Sequence, residues 1–258
     1  MKLVSLPPPG TLCQTQAVFE LVDASHAKTF CEIGPGAGDL SAALCRRGLT
    51  GVGIELSPQA AAIARASLRD LIESGRYRLI EGDFMTMAGL ESFDLALSLM
   101  VMEHVENDAD FVARAARLVR PGGTVIIGVP GRMDRWGVED ETAGHFRRYE
   151  RADLAHMLGD AGLERVEVRS VSVPVANLLF HLGNVLIRRA GEERKLALGQ
   201  EARTQTSGIR DIPFKTVFPA PFKLILNPVA MSPLFLLQHL FYGSSLGLTL
   251  LARGCKPV

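Results

Sequence analysis

The sequence has few cysteines and no surplus of charge. Its 258 residues include four cysteines without a CxxC pair, at Cys13, Cys31, Cys45 and Cys255. This spacing argues against a zinc module and fits reduced, separately buried thiols, so we expect no metal and a cytoplasmic location. The 28 basic and 28 acidic side chains cancel, which removes the electrostatic footprint of a general nucleic-acid binder.

The sequence also lacks a long, uninterrupted hydrophobic run. Its start has few apolar residues before a proline run, which is too short for a signal peptide. Two uncharged stretches, Ser170–Ile187 and Leu224–Ala252, are broken by polar residues, proline or glycine. A membrane-spanning helix wants about 20 consecutive, mostly apolar residues. We therefore interpret both stretches as buried or interfacial.

The overall composition is that of a globular protein, with 47% hydrophobic and 22% charged residues. Short β-rich runs alternate with helical patterns, which predicts an α/β fold with a doubly wound sheet. The predicted strands are Thr29–Ile33, Gly51–Leu56, Tyr77–Glu81, Phe93–Leu99, Thr124–Val129, Glu164–Val171 and Gly247–Ala252. The predicted helices are Asp39–Arg47, Ser57–Glu73, Asp108–Val119, Glu150–Ala161 and Ala176–Leu198.

Local signals predict where these helices begin and end. Asp39 is expected to cap the first, and Ser57-Pro58 to open the second with a cap and an N1 proline. Pro121-Gly122-Gly123 is expected to close the third. Residues 174–244 show no strand periodicity. We expect one domain over 1–258, with a cofactor-binding core at 28–130 and a helical insertion or lid at 174–244.

A glycine-rich turn follows the first predicted strand, in the run Phe30-Cys-Glu-Ile-Gly-Pro-Gly-Ala-Gly38. Glycines at such a turn let the backbone approach a ligand beside a helix N-terminus. The spacing is GxGxG and differs from the GxGxxG dinucleotide fingerprint, so it disfavours NAD as the bound cofactor. A turn of this kind can also bind nothing.

Two further acids end strands. Glu55 closes the second predicted strand, where a carboxylate can accept both hydrogen bonds of a ribose diol, or be an ordinary exposed side chain. Asp83-Phe84 follows the third predicted strand, where the acid can accept from an adenine amino group while an apolar side chain covers the ring.

A fourth block, from Phe93-Asp94 through Glu103-His104-Val105 to Arg120-Pro-Gly-Gly123, completes a recognisable order. With the glycine turn, Glu55 and Gly82-Asp83-Phe84, it resembles the class I S-adenosylmethionine-dependent methyltransferases (EC 2.1.1 type). The similarity is greatest to the small-molecule group that includes the ubiquinone-biosynthesis O-methyltransferases, and it covers residues 28 to about 172.

The resemblance implies roles for individual residues. Several would surround the methionine part of S-adenosylmethionine: Glu32, Gly34, Gly36 and Gly38. Glu55 would hold the ribose with Leu56 against the adenine, and Asp83 and Phe84 would hold the edge and face of the adenine. Leu99 and Met100 would line the pocket near the sulfonium. The family also implies the strand order 3-2-1-4-5-7-6 with an antiparallel seventh strand.

A segment between the fifth strand and the next helix, Gly144-His-Phe-Arg-Arg-Tyr149, looks like the GHxRRY element of a subset of these enzymes. An imidazole, guanidinium groups and a phenol can orient an acceptor and remove a proton, which makes His145, Arg148 and Tyr149 candidates. His104 at the end of the fourth strand is a second candidate base. Each of these side chains can instead have a structural role.

The sequence therefore predicts transfer of a methyl group to a hydroxyl or carboxylate of a small, hydrophobic molecule. A hydroxyl acceptor would benefit from a base, whereas a carboxylate would need only a clamp such as Arg148. Two alternatives stay open: an NAD(P)-dependent oxidoreductase and a non-catalytic, membrane-associated member of the fold. We expect no nucleic-acid partner, and the oligomeric state is not predicted.

The C-terminal region has an unusual charge pattern. Residues 1–150 carry 15 basic and 20 acidic side chains, whereas residues 151–258 carry 13 and 8, and no acid follows Asp211. The apolar tract Leu234–Leu240 lies between cationic segments and is expected to form a helix. It is interpreted either as a lid or as a peripheral membrane contact that binds an anionic surface.

Overall fold

The computed structural model describes residues 3–89, 92–207 and 212–258. The chain divides into two compact units. The glycine-loop unit comprises Glu20–Val129, Ala152–Glu167 and Ala252–Val258. The histidine-loop unit comprises Met1–Phe19, Pro130–Arg151 and Val168–Leu251.

Nine strands and ten α-helices lie within the described residues. The strands are β1 Leu3–Ser5, β2 Thr29–Ile33, β3 Thr50–Glu55, β4 Tyr77–Glu81, β5 Phe93–Leu99, β6 Val119–Pro130, β7 Glu164–Val171, β8 Val217–Pro219 and β9 Thr249–Cys255. The α-helices are α1 Pro9–Ser25, α2 Asp39–Arg46, α3 Pro58–Ser67, α4 Arg69–Glu73, α5 Asp108–Leu118, α6 Val138–Ala143, α7 Arg151–Asp160, α8 Val175–Arg189, α9 Gln200–Ser207 and α10 Pro228–His239. Short 3₁₀ turns cover Met102–His104, Met133–Arg135, Glu192–Ala197 and Ala220–Leu224.

Seven strands form one mixed sheet in the order β4-β3-β2-β5-β6-β9-β7. Strands β2 to β6 pair in parallel. β9 runs antiparallel to β6. Next to its last residue, the Gly122 N–H donates to the Lys256 carbonyl and the Lys256 N–H donates to the Gly123 carbonyl. This confirms the doubly wound sheet and its antiparallel seventh strand.

The central strands are apolar because the sheet is covered on both faces. β2 is buried from Phe30 to Ile33, and so is β5 over Leu95–Ser98. Asp94 ties the start of this pair together, since its Oδ2 accepts from the Lys28 and Thr29 amides at 2.8 and 2.9 Å. Burial by itself would raise the pKa of Asp94, but these bonds and one from Arg120 lower it to about 2.

Several predicted helix ends are confirmed and others are wrong. Ser57 caps α3 by accepting from the Ala60 amide. Asp39 does not cap α2, because Gly38 occupies that position in a left-handed conformation without a side-chain bond. Pro121-Gly122-Gly123 does not close a helix either: α5 ends at Leu118, and this run lies within β6, where Gly122 has a positive φ of 75°.

The region 174–244 also differs from its prediction. The expected helix Ala176–Leu198 ends at Arg189 in the structure, and a 3₁₀ turn follows Gly191, which has a positive φ of 71°. A strand is present although none was expected: β8 pairs antiparallel with β1. Helix α1, for which no pattern was identified, precedes the sheet. Within the described residues, no helix combines the length and apolar character required to cross a membrane.

Candidate cofactor and acceptor sites

The predicted cofactor residues of the glycine-loop unit gather at one edge of the sheet. The parallel strands β2, β3, β4 and β5 end there together, with Ile33 beside Ile54 and Ser98, and Glu55 beside Glu81. The carboxyl ends of parallel strands, next to a change in strand order, are where ligands bind in this architecture.

The loop after β2 needs glycine at two positions for different reasons. Gly34 has a φ of 74°, and a Cβ there would lie 2.4 Å from Val101 Cγ2. Gly36 has a φ of 57° and open space where its Cβ would stand, with no heavy atom within 4 Å. The loop therefore leaves a bare concave backbone that a ligand can approach.

Glu55 connects this loop to the end of β3. Its carboxylate is buried, and it accepts from the Gly36 amide at 2.9 Å and from the Ser57 amide at 2.8 Å. A carboxylate has about four acceptor positions, so two backbone bonds leave capacity for the two hydroxyls of a ribose. The same side chain thus shapes the loop and retains free acceptor positions.

Glu32 on β2 lies in a buried polar network. Its carboxylate accepts from the Ser41 hydroxyl on α2, and Ser41 Oγ lies 2.8 Å from the Tyr77 hydroxyl on β4. Burial raises the pKa of Glu32 to about 7, although the bond from Ser41 opposes the shift. Tyr77 reaches this network by passing over β3 at Gly53, where a Cβ would lie 1.9 Å from the Tyr77 hydroxyl.

Ser41, Gly53 and Tyr77 were not identified from the sequence. A serine in the first turn of a helix and a glycine within a strand are the local signals that could have indicated them. Tyr77 had no such signal, because its partner Ser41 lies on α2 and the Glu32 that Ser41 binds lies two strands away in the sheet.

The other predicted cofactor residues lie at the same edge in different surroundings. Asp83 is half-buried and accepts from the Met85 amide at 2.8 Å. Phe84 is buried and meets Phe111 edge to face, with ring centroids 5.4 Å apart. Three apolar residues remain at least partly accessible: Leu56, Leu99 and Met100.

His104 belongs to the same unit. It ends the 3₁₀ turn Met102–His104 directly after β5, and its amide donates to the Val101 carbonyl at 2.9 Å. Its side chain is half-buried, next to the fully buried Glu103. The turn therefore holds the imidazole at the carboxyl end of a central strand.

His145 lies in the histidine-loop unit, directly after α6. Its Nδ1 is 2.8 Å from Oδ1 of Asp140, a carboxylate with no exposed surface. The backbone supports this contact, since the His145 amide donates to the Asp140 carbonyl at 3.0 Å. An ionised carboxylate only accepts, so Nδ1 carries the proton in this pair.

Arg148 and Tyr149 complete the loop. Arg148 Nε donates to the same Asp140 oxygen at 2.8 Å, and its Nη1 donates to the Gly131 carbonyl at 3.2 Å. Tyr149 is buried and joins the backbone of Pro130 and Arg132 through two hydrogen bonds. The loop is therefore rigidly attached to the segment that follows β6.

Asp140 organises these residues, and sequence reasoning missed it. Besides His145 and Arg148 it binds the Gly137 amide through Oδ2 at 2.9 Å. Burial alone would raise the pKa of Asp140, but the bonds from His145 and Arg148 keep it below its ordinary value. An acid five residues before the histidine was the only local signal.

The glycine-loop residues fit the cofactor that the resemblance implies. The open backbone at Gly36 admits the methionine part of S-adenosylmethionine, and Glu55 keeps acceptor capacity for the ribose. Buried Glu32 offers an acidic group beneath the loop for the ammonium of the methionine part. These are the features that such a cofactor requires at a strand edge.

Comparison with known proteins agrees with this fit. A family model described as a methyltransferase domain matches residues 14–168, more than half of the chain. A protein of Thiobacillus denitrificans named ubiquinone biosynthesis O-methyltransferase is 31% identical over 168 residues, which cover 60% of this chain and 72% of that protein. A protein of the same name from Agrobacterium fabrum is 41% identical over 92 residues, 36% of each chain.

A solved structure supports the fold. An N-methyltransferase of Haemonchus contortus, in complex with phosphomonomethylethanolamine and S-adenosylhomocysteine, superposes with a TM-score of 0.59. The match covers 95% of this chain and 53% of that one at 16% identity, so it shows the shared fold alone.

The family match decides between the alternatives that the sequence left open. It replaces the oxidoreductase and the non-catalytic alternative with an enzyme that uses S-adenosylmethionine. The glycine loop, the sheet order and this match together show that the chain belongs to the class I S-adenosylmethionine-dependent methyltransferase family.

Proposed function

We propose that this enzyme methylates a hydroxyl oxygen of a small, hydrophobic acceptor and that His145 is the general base. S-adenosylmethionine supplies an electrophilic methyl group bonded to a sulfonium. The work of the protein is to orient the acceptor oxygen in line with that methyl, exclude water and remove the hydroxyl proton.

The Asp140–His145 pair is the observation that carries this proposal. Because Asp140 accepts from Nδ1, the other ring nitrogen, Nε2, is the atom that would take the hydroxyl proton. A buried carboxylate also stabilises the imidazolium that forms once the proton has moved. Asp140 is in this proposal a positioning residue, since it acts through His145.

The hydrogen bonds that Arg148 already makes within the protein favour a hydroxyl over a carboxylate acceptor. A carboxylate acceptor needs no base but needs a cationic clamp, and Arg148 was the candidate. Its Nε and Nη1 are already bound to Asp140 and Gly131, and its side chain is 6% exposed. In this proposal Arg148 and Tyr149 therefore hold the loop in place.

His104 is the second candidate base. It stands on a short turn at the carboxyl end of β5, in the unit that holds the glycine loop. We rank His145 first because the buried Asp140 carboxylate fixes its imidazole through Nδ1. Variants of both histidines test this order.

The proposed cofactor contacts follow the family pattern. Glu32 and the three loop glycines would surround the methionine part, and Glu55 would bind the ribose. The adenine would lie against the remaining predicted residues, Leu56, Asp83 and Phe84, and the sulfonium near Leu99 and Met100. In this proposal residues 28–130 are the cofactor-binding core of one domain, and residues 174–244 cover the acceptor.

A hydrophobic acceptor is supported by the composition around the histidine loop. The uncharged stretch Ser170–Ile187, and all of Leu224–Ala252 except Ala252, belong to the unit that contains His145. The relatives are also named for ubiquinone biosynthesis. Such an acceptor reaches the enzyme either from solution or from the surface of a membrane.

The test measures methyl transfer to two probes of similar hydrophobicity, 4-octylcatechol and decanoic acid, by mass spectrometry of the products. We expect methylation of the catechol. His145→Ala is expected to lower turnover by about 10²- to 10⁴-fold, while S-adenosylhomocysteine binding stays unchanged. Asp140→Asn is expected to reduce turnover and alter its pH profile, because the imidazole loses its fixed orientation.

His156→Ala is the matched control, since His156 is an exposed histidine on α7. It is expected to leave turnover unchanged. Methylation of decanoic acid alone, or a full rate in His145→Ala with a large loss in His104→Ala, would contradict the proposal.

A further inference from the structure

Helix α8 exposes an apolar stripe. Leu178 is 78% exposed, Leu182 53% and Val185 44%. Their spacing of four and three residues puts them on one side of the helix. Ile187, nine positions after Leu178, is buried on the opposite side, and Val175 is buried in the first turn of the helix. The solvent-facing side of a helix is normally polar, so α8 has the reverse of the expected surface.

Helix α10 repeats this arrangement. Val229 is 82% exposed, Leu236 69% and Leu240, directly after the helix, 79%. These residues are spaced by seven and four positions, which again places them on one side over about 16 Å of helix. Met231 and Phe235 are buried on the other side. Upstream of the helix, Leu224 and Ile225 are also exposed, at 79% and 57%.

The two helices share a packing core within the histidine-loop unit. Val175 of α8 lies in one buried cluster with Met231 and Phe235 of α10 and Cys13 of α1. Gln238 of α10 is also buried. Both helices are thus held by buried residues, among them Ile187 of α8 in a second buried cluster, and their exposed apolar residues are not needed for that packing.

The charges next to these stripes are cationic. Arg188 and Arg189 are exposed at the end of α8, next to Val185, and exposed Lys223 precedes Leu224. From residue 212 to the end, the sequence contains four basic residues and no acidic one. Glu193 lies 3.7 Å from Arg188 and offsets part of the charge at α8. Exposed apolar residues beside basic ones are the combination that binds an anionic lipid surface.

We propose that the exposed stripes of α8 and α10 dock this enzyme on an anionic lipid bilayer. The leucines and valines would insert at the level of the headgroups, and the neighbouring Lys and Arg side chains would bind lipid phosphate. Both helices lie beyond residues 14–168, the part that the family model matches. Docking is thus a property of the region outside the family-model match.

A bilayer accounts for the charges better than a second copy of the chain. Two copies that met through α8 or α10 would bring like charges together, which opposes association. An anionic membrane offers apolar depth and the opposite charge at once. A second copy is nevertheless a distinguishable outcome of the test.

The test uses the full chain with two kinds of vesicle, phosphatidylcholine alone and phosphatidylcholine with 30% phosphatidylglycerol, in flotation at low and high salt. We expect binding to the anionic vesicles at low salt, weakened at least several-fold by high salt. Leu236→Glu with Leu240→Glu, and separately Leu178→Glu, are each expected to abolish most of the binding. Ile63→Glu is the control, because Ile63 is an exposed apolar residue of α3 in the glycine-loop unit and belongs to neither stripe.

The outcomes separate the alternatives. Failure of the wild-type chain to float at low salt, or equal flotation of the stripe variants, would overturn the proposal. A concentration-dependent dimer in light scattering that the Leu236→Glu, Leu240→Glu variant dissociates would assign the stripes to a second copy instead. The proposal does not rest on hydroxyl methylation, and S-adenosylhomocysteine binding by each variant shows independently that it is folded.

Discussion

Replacing Asp140 with asparagine tests the physical basis of the histidine loop. The carboxylate has no exposed surface and accepts from three donors: His145 Nδ1, Arg148 Nε and the Gly137 amide. Asparagine has nearly the same shape but offers one oxygen and one amino group. Its amino group must then face a donor, and the buried Arg148 loses its counter-charge.

The expected loss of stability is large. Removing one partner of a buried, hydrogen-bonded ion pair costs about 3–5 kcal/mol, because the other charge stays buried without compensation. The loss also depends on pH. The folded-state pKa of Asp140 lies below its ordinary 3.8, so its contribution is present above that pH and is lost as the pH falls through the folded-state value. We therefore expect the full difference between wild type and variant at pH 7 and a smaller one below pH 4.

Urea unfolding followed by tryptophan fluorescence measures this effect. Trp136 is the single tryptophan of the sequence and lies in the same unit as Asp140, so its emission reports on that unit. Asp134→Asn is the control, because Asp134 is an exposed acid in a surface ion pair with Arg132. Surface pairs contribute little to stability, and we expect an unchanged midpoint for this variant.

A second substitution separates the two causes of the loss. Arg148→Met in the Asp140→Asn background removes the uncompensated charge and is expected to recover part of the stability. A loss below about 1 kcal/mol in Asp140→Asn, with an unchanged dependence of the free energy on urea, would refute the view that this carboxylate organises the loop.

Three further predictions concern the glycine-loop unit. S-adenosylhomocysteine is expected to stabilise the wild type by about 2.7 kcal/mol at one hundred times its Kd, and Glu55→Ala to remove most of the melting shift; an unchanged shift would reassign the ribose contact. Gly53→Ala is expected to destabilise the fold by about 1–3 kcal/mol in urea unfolding, because its Cβ would overlap the Tyr77 hydroxyl. Gly159→Ala is the control, because nothing lies within 4 Å of the Cβ that this substitution adds. Equal stabilities of the two variants would contradict the packing of Tyr77 over Gly53. Because the pKa of Glu32 rises from 4.5 to about 7 on folding, its protonated form is favoured in the folded state, so its contribution to stability is present below pH 4.5 and lost between pH 4.5 and 7. Glu32→Gln is expected to remove that part of the pH dependence when unfolding is measured at pH 5 and pH 7.5. Parallel profiles of stability against pH for wild type and variant would contradict the assignment of this dependence to Glu32.

Much of the sheet was predictable because its signals are local. Tyr77–Glu81, Phe93–Leu99 and Glu164–Val171 were predicted with the bounds that the structure has. The run Pro121-Gly122-Gly123 was misread because proline and glycine commonly end helices, whereas here hydrogen bonds from the last strand hold this run in β6. Strand β8 was missed because three residues show no period, and its pairing with β1 depends on a partner more than 200 residues away.

The sequence by itself indicated the family, and the resemblance to that family implied the cofactor and the order of the strands. Glycine spacing, strand-end acids and apolar periodicity are properties of neighbouring residues, so they can be identified without the fold. Only the tertiary structure decided that Asp140 binds both His145 and Arg148, that Tyr77 reaches Ser41, the partner of Glu32, over Gly53, and that the apolar sides of α8 and α10 face outward. These features depend on which side chains meet across strands, turns and helices, and on which side of each helix is already packed, and no local pattern encodes either.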